Sequence, residues 1–132
     1  MKRFLALLGN LAYAAMRVVL AFMYVSHGLV WLFGAFGGAP IPVTPLLRTA
    51  GVIETICGTL IGIGLYTPLA AFIASGEMAV AYFTAHVPRG SIFPIQNGGE
   101  ITVALCFGFL YISTQGAGPI SVGRLFGSSA TR

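Results

Sequence analysis

The stretch that decides the fold is Leu46–Tyr66, LLRTAGVIETICGTLIGIGLY, followed after Thr67 by Pro68–Val87, PLAAFIASGEMAVAYFTAHV. Each run is about as long as the roughly 20 apolar residues a helix needs to cross a bilayer. Each carries a single acid, Glu54 and Glu77. Tyr66-Thr67-Pro68 between them reads as a tight turn, with Pro68 suited to the first turn of a helix. Two further apolar runs flank the pair, Leu11–Phe33 and Gly99–Gln115. The Gly- and Pro-rich breaks 34–45, 88–99 and 116–119 separate or end the spans.

The expectation is one all-α domain over residues 1–132, an integral membrane four-transmembrane-helix bundle. Composition agrees: 57% of the 132 residues are hydrophobic and only 8% are charged, against about 25% charged in soluble domains. A soluble fold could not hide that much apolar surface. The net charge of +4 does not suggest a nucleic-acid partner, because the basic residues sit mostly at segment ends. Lys2 and Arg3 before an apolar stretch, with Ala12-Tyr13-Ala14, resemble a signal peptide. The apolar run resumes directly after Arg17, so an uncleaved first helix is expected. Lys2, Arg3, Arg124 and Arg132 lie on one side, against Arg48 and Arg89 on the other. The positive-inside rule then places both termini in the cytoplasm, with the Pro-rich loops on the outer side of a bacterial inner membrane.

Small residues mark the expected packing faces. Gly58 and Gly62 form a GxxxG in the second span, and Ala70, Ala74 and Ala81 line a stripe of the third. Cys57 and Cys106 lie in apolar runs without a CxxC pair and read as packing residues. Trp31, Tyr66, Tyr82 and Phe93 lie near the expected interfaces, as in an aromatic belt.

The ionisable residues inside the spans call for an explanation, since a charge at the bilayer centre costs at least about 2.5–3.5 kcal/mol. Glu54 shares a face with Gly58 and Gly62, and Glu77 with Ala70, Ala74, Ala81 and Thr84. Arg17, Ala21, Tyr24 and Gly28 form one stripe of the first helix, with His27 roughly 80° to its side. Arg17, His27, Glu54 and Glu77 are therefore the candidate buried polar pocket, opening outward with Arg17 at its floor. His86 and Glu100 are weaker candidates near the outer surface. Two readings stay open. One is a structural ion-pair network in which Arg17 pairs with Glu54 or Glu77; the other is a site for a polar headgroup, a quinone, a proton or a cation. Asn97-Gly98-Gly99-Glu100 also has the spacing of a capping box, with Asn97 at N-cap and Glu100 at N3. The spacing of His27 and His86 does not test an axial haem pair, and no paired motif supports a His/Glu metal site.

The order of these segments resembles the DoxX family of small membrane proteins. Arg17, then His27-Gly28 and Leu32-Phe33-Gly34, is similar to the family's arginine and HG…LFG pattern. Ala50-Gly51-Val52-Ile53-Glu54 with Gly58 resembles its AGxxE…G segment. Leu69-Ala70-Ala71, Ala81-Tyr82, His86-Val87-Pro88-Arg89-Gly90, Phe93-Pro94 and Asn97-Gly98-Gly99-Glu100 follow in order. Gly116-Ala117-Gly118-Pro119-Ile120-Ser121 resembles the closing GxGxxS. The chain departs from the pattern at Trp31, where a lysine is usual, and at Val122-Gly123, where an aspartate is absent. The resemblance implies a four-helix membrane fold and redox-associated, quinone-linked membrane complexes. The function expected is an accessory or anchoring subunit of such a complex, bound to other membrane subunits. The alternatives are a non-catalytic assembly or binding protein and a small transporter. No P-loop, Rossmann glycine motif or Ser-His-Asp arrangement argues for an enzyme acting on its own.

Overall fold

A computed structural model gives the fold over residues 1–125. Arg132, one of the basic residues in the orientation argument, lies outside the described residues. The described residues contain helices and no strand. The elements are α1 (Lys2–Phe33), α2 (Pro45–Ile63), α3 (Thr67–Ala81), α4 (Pro94–Asn97), α5 (Glu100–Gln115) and α6 (Val122–Leu125). A π turn (Tyr82–His86) and a 3-10 turn (Val87–Arg89) extend α3, so one helical rod runs from Thr67 to Arg89.

Local chemistry sets the helix ends. Thr44 caps α2, its hydroxyl accepting from the Leu47 N–H at 3.3 Å, and Pro45 occupies the first turn, where its missing N–H is no loss. α2 stops at Gly64, at φ 78°. The Leu65 N–H returns to the Leu60 carbonyl at 2.9 Å, the long bond of a Schellman motif. Tyr66, also in the left-handed region at φ 48°, completes the turn into α3. Gly34 ends α1 in the same way, at φ 64°.

Two expectations about elements are corrected. The first helix does not begin near Leu11; it is continuous from Lys2, because the Leu, Ala, Lys and Arg residues before Leu11 are good helix formers and carry the helix through Gly9 and Asn10. Nor is Asn97 the N-cap of the last long helix. Gly99 holds that position and Glu100 is the first helical residue. Asn97 instead ends α4, is 3% exposed, and turns its side chain inward.

α1 packs chiefly on α2, α3 on α5, and α2 on α3. The α1–α2 contact is close because glycines stand on both sides. A Cβ on Gly58 would lie 2.6 Å from Val25 Cγ2 and 3.3 Å from the Ala21 carbonyl. One on Gly51 would lie 2.9 Å from Trp31 Cβ and 3.2 Å from the Gly28 carbonyl. Gly62, the partner expected in a GxxxG, would make only an ordinary 3.5 Å contact with Ala21. The seam is therefore Gly51–Gly58, seven residues apart, a spacing that returns to the same face after two turns. Ala70, Ala71, Ala74 and Met78 of α3 join Leu105, Phe109 and Ile112 of α5 in the core. Ser75 ties the two helices, its hydroxyl donating to the Cys106 carbonyl at 2.8 Å.

The outside of the bundle is apolar. Phe22, Phe72, Phe83 and Phe107 are each more than 60% exposed, on α1, the α3 rod and α5. Patches of this kind on several helices fit lipid rather than water. Among the described residues, three helices are long and apolar enough to cross a membrane: Lys2–Phe33, Pro45–Ile63 and Thr67–Arg89. Glu100–Gln115 is a shorter apolar helix of 16 residues.

Candidate functional site

The acids and the arginine of the expected pocket divide between two places. At mid-bundle, the Tyr24 hydroxyl of α1 donates to Glu77 Oε2 of α3 at 3.0 Å. Tyr24 is fully buried, and its ring leans on Phe109 of α5 with centroids 4.9 Å apart. Glu54 of α2 is 3% exposed, and its Oε2 has no hydrogen-bond partner. Glu54, Cys57 and Tyr24 all lie within electrostatic reach of Glu77. The helical pattern explains the convergence. Gly51, Glu54, Gly58 and Ile61 follow at steps of three, four and three and are all buried, so Glu54 is carried inward by the same stripe that packs α2. Leaving a buried acceptor unsatisfied costs about 1–3 kcal/mol, and a cluster that retains such an atom is a candidate for proton or ligand chemistry.

Arg17 sits elsewhere. It is 2% exposed, and it donates to backbone carbonyls, not to Glu54 or Glu77. Nη1 bonds the Ala117 carbonyl; Nη2 bonds those of Ile120 at 2.9 Å and Gly62 at 3.5 Å. Gly62 lies in the last turn of α2, and Ala117 follows the end of α5. Arg17 thus stands where two helix C-termini present their negative dipole ends, each equivalent to roughly half an elementary charge. Tyr13, one turn earlier, adds a bond from its hydroxyl to the Gly116 carbonyl at 2.5 Å. The ion-pair network expected between Arg17 and the acids is replaced by a main-chain clamp on residues 116–120. The physical reason is distance along the helix: Arg17 lies seven residues, about 10 Å, from Tyr24, at the level of the α2 C-terminus.

His27 does not join either group. It is exposed on α1, because its 80° offset from the Arg17–Gly28 stripe takes it off the buried face. Glu100 is exposed at the start of α5. His86 belongs to a third cluster, at the loop between α3 and α5. Its Nδ1 lies 3.3 Å from the Asn97 carbonyl and its Nε2 3.1 Å from Thr102 Oγ1. A carbonyl only accepts, so Nδ1 is the donor in the contact with Asn97, while Nε2 faces the Thr102 hydroxyl. The Asn97 amide donates to the Tyr82 hydroxyl at 3.1 Å and to the Ser91 carbonyl at 2.9 Å, and its oxygen accepts from the Gly99 N–H at 2.8 Å. The Tyr82 hydroxyl in turn donates to the Ile92 carbonyl at 2.5 Å. These bonds fasten the loop between α3 and α5. No group of three or more His, Cys, Asp or Glu that could hold a metal ion occurs among the described residues.

Sequence reasoning placed Tyr24 on the Arg17 stripe without assigning it a role, and it did not single out Tyr13 or Asn97 as polar anchors. For Tyr24 a signal existed: a tyrosine at the centre of a buried stripe needs a partner for its hydroxyl.

An all-helical bundle with a lipid-compatible exterior and acids turned inward defines a small helical membrane protein. The family model for DoxX matches residues 12–87, and the chain belongs to the DoxX family. That match takes in Arg17, Tyr24, His27, Glu54, Glu77 and His86, and leaves Glu100 outside. A Haemophilus influenzae protein, described only as uncharacterized, is 41% identical over 119 residues, which is 86% of this chain and 89% of that one. No solved structure matches the chain.

Proposed function

We propose that this DoxX-family protein is an accessory or anchoring subunit of a quinone-linked redox complex in the bacterial inner membrane, with Glu54, Glu77 and Tyr24 as its functional centre. The carrying observation is Glu54: a glutamate 3% exposed, one oxygen unpartnered, inside a helical bundle whose outside is apolar. A purely structural acid would have every buried oxygen matched to a donor, and Glu54 does not. Acids turned inward in a membrane bundle mark proton, ion or substrate paths more often than scaffolding. Redox association is what the family resemblance contributes, and quinone is the chemistry it suggests.

The same reading makes the protein four-pass with both termini cytoplasmic. α5, at 16 residues, covers about 24 Å, close to the roughly 30 Å hydrocarbon core. It packs on the α3 rod as a full member of the bundle. Lys2, Arg3 and Arg124 stand at one end, and Arg48 and Arg89 at the other, the asymmetry the positive-inside rule reads.

The test is purification of the tagged protein from its own membranes in mild detergent, with mass spectrometry of what accompanies it. Redox subunits should co-purify. Glu54→Gln should leave that assembly intact while lowering its quinone-dependent turnover. Recovery of the protein alone would overturn the subunit reading. An assembled complex with unchanged turnover would remove Glu54 from its chemistry.

A further inference from the structure

We propose that the groove beside Arg17 binds the phosphate headgroup of an anionic phospholipid. The groove is open, has a volume of about 440 Å³ and is lined by Arg17 together with Ile63, Pro119, Ile120, Val122 and Leu125. It lies apart from the acid cluster, where the C-terminal ends of α2 and α5 meet α6. Arg17 is buried, and its Nε has no protein partner, while its three bonds go to neutral carbonyls. A cation held in place at the edge of an apolar groove suits an amphiphile with a negative head.

Charge points the same way. Arg17 and Arg124 lie at this end of the bundle, and Lys2 and Arg3 lie beyond it on α1. The three acids of the chain lie away from the groove. Glu100 opens α5, whose far end borders the groove, and Glu54 precedes Gly62 by eight residues, about 12 Å. Glu77 is bonded at mid-bundle to Tyr24. Among the described residues, that end is therefore basic with no acidic side chain to answer it. Basic pockets between transmembrane helices are sites for anionic headgroups.

Depth fits as well. Residues 17–33 of α1 rise about 25 Å, close to the hydrocarbon thickness of roughly 30 Å, so Arg17 stands near the level of the headgroups. The apolar walls distinguish a phospholipid from free phosphate. Ile63, Ile120 and Val122 would lie along the upper part of an acyl chain and contribute nothing to an inorganic ion.

The experiment is native mass spectrometry of the full chain in detergent, titrated with phosphatidylglycerol or with phosphatidylcholine of the same acyl chains. Leu125 is 82% exposed, so Leu125→Glu places a carboxylate at the rim without disturbing the core. The wild type should retain phosphatidylglycerol with a preference of about fivefold or more, the factor expected from one basic residue acting on an anionic lipid. Leu125→Glu should bring the preference close to unity, and millimolar inorganic phosphate should not displace the lipid. Equal retention of the two lipids, or a preference unmoved by Leu125→Glu, would overturn the proposal. So would displacement by inorganic phosphate, which would make the site one for the free anion. A groove covered by another part of the chain or by a second copy would retain neither lipid, and that outcome overturns it too.

Discussion

Arg17 and Glu54 are buried to nearly the same degree, 2% and 3% exposed, yet Arg17 meets three backbone carbonyls and Glu54 leaves one oxygen with none. The arginine sits where helices end, and helix ends supply unpaired carbonyls. The acid sits where helices pass each other, and mid-helix main chain is already bonded to itself. There only a side chain can serve as a donor, and Tyr24 gives its hydroxyl to Glu77. The comparison teaches that burial alone does not decide whether a charge finds partners; the stock of free main-chain groups at that depth does.

The largest effect should come from breaking the arginine side of this comparison. Arg17→Ala leaves three carbonyls without their donor and frees residues 116–120 from α1. Charge-assisted hydrogen bonds contribute about 1.5–3 kcal/mol each, so a loss of at least about 3 kcal/mol is expected in reversible unfolding of the detergent-solubilised protein. An Arg17→Ala protein as stable as the wild type would remove the clamp from the account of the fold.

A smaller effect is expected at mid-bundle. Tyr24→Phe keeps the ring against Phe109 and deletes only the bond to Glu77. About 1–2 kcal/mol should be lost in the same assay, less than for Arg17→Ala. A loss equal to that of Arg17→Ala would show that the acid cluster is as much a part of the scaffold as the clamp, and the contrast between the two regions would fall.

The smallest effect should be at His27. It is exposed on α1, and surface substitutions are usually within about 0.5 kcal/mol of neutral. His27→Ala should therefore unfold like the wild type. A clear destabilisation would mean that His27 reaches a partner from the side of the helix.

Much of the architecture was legible in the residues themselves. Apolar run length with Gly and Pro punctuation located α2 and the α3 rod, with starts one residue from those observed. Periodicity turned Arg17, Tyr24, Glu54 and the alanines of α3 inward, because a 3.6-residue repeat assigns faces without reference to any neighbour. The family pattern was likewise carried by local motifs in order, and the match over residues 12–87 agrees with it.

The candidate site was less legible, since a face is not a partner. Sequence periodicity put Arg17 and Glu54 on inward stripes, but which groups meet depends on the register between antiparallel helices. Gly28 opposite Gly51, and Val25 opposite Gly58, set that register, and it places Arg17 beside Gly62 rather than beside Glu54. The choice of Gly51–Gly58 over Gly58–Gly62 as the seam also depends on the neighbour, because α2 has glycines on more than one of its faces. Asn97 shows the same limit at short range. Its spacing to Glu100 fits a capping box, but the buried hydroxyl of Tyr82 and the Ser91 carbonyl offer its amide partners fifteen and six residues away. What the residues determined alone was the solvent, the helices and the inward faces, all of which follow from transfer energies and the helical repeat. What only the tertiary structure decided was which inward groups touch, because that follows from how closely two backbones approach and at what register.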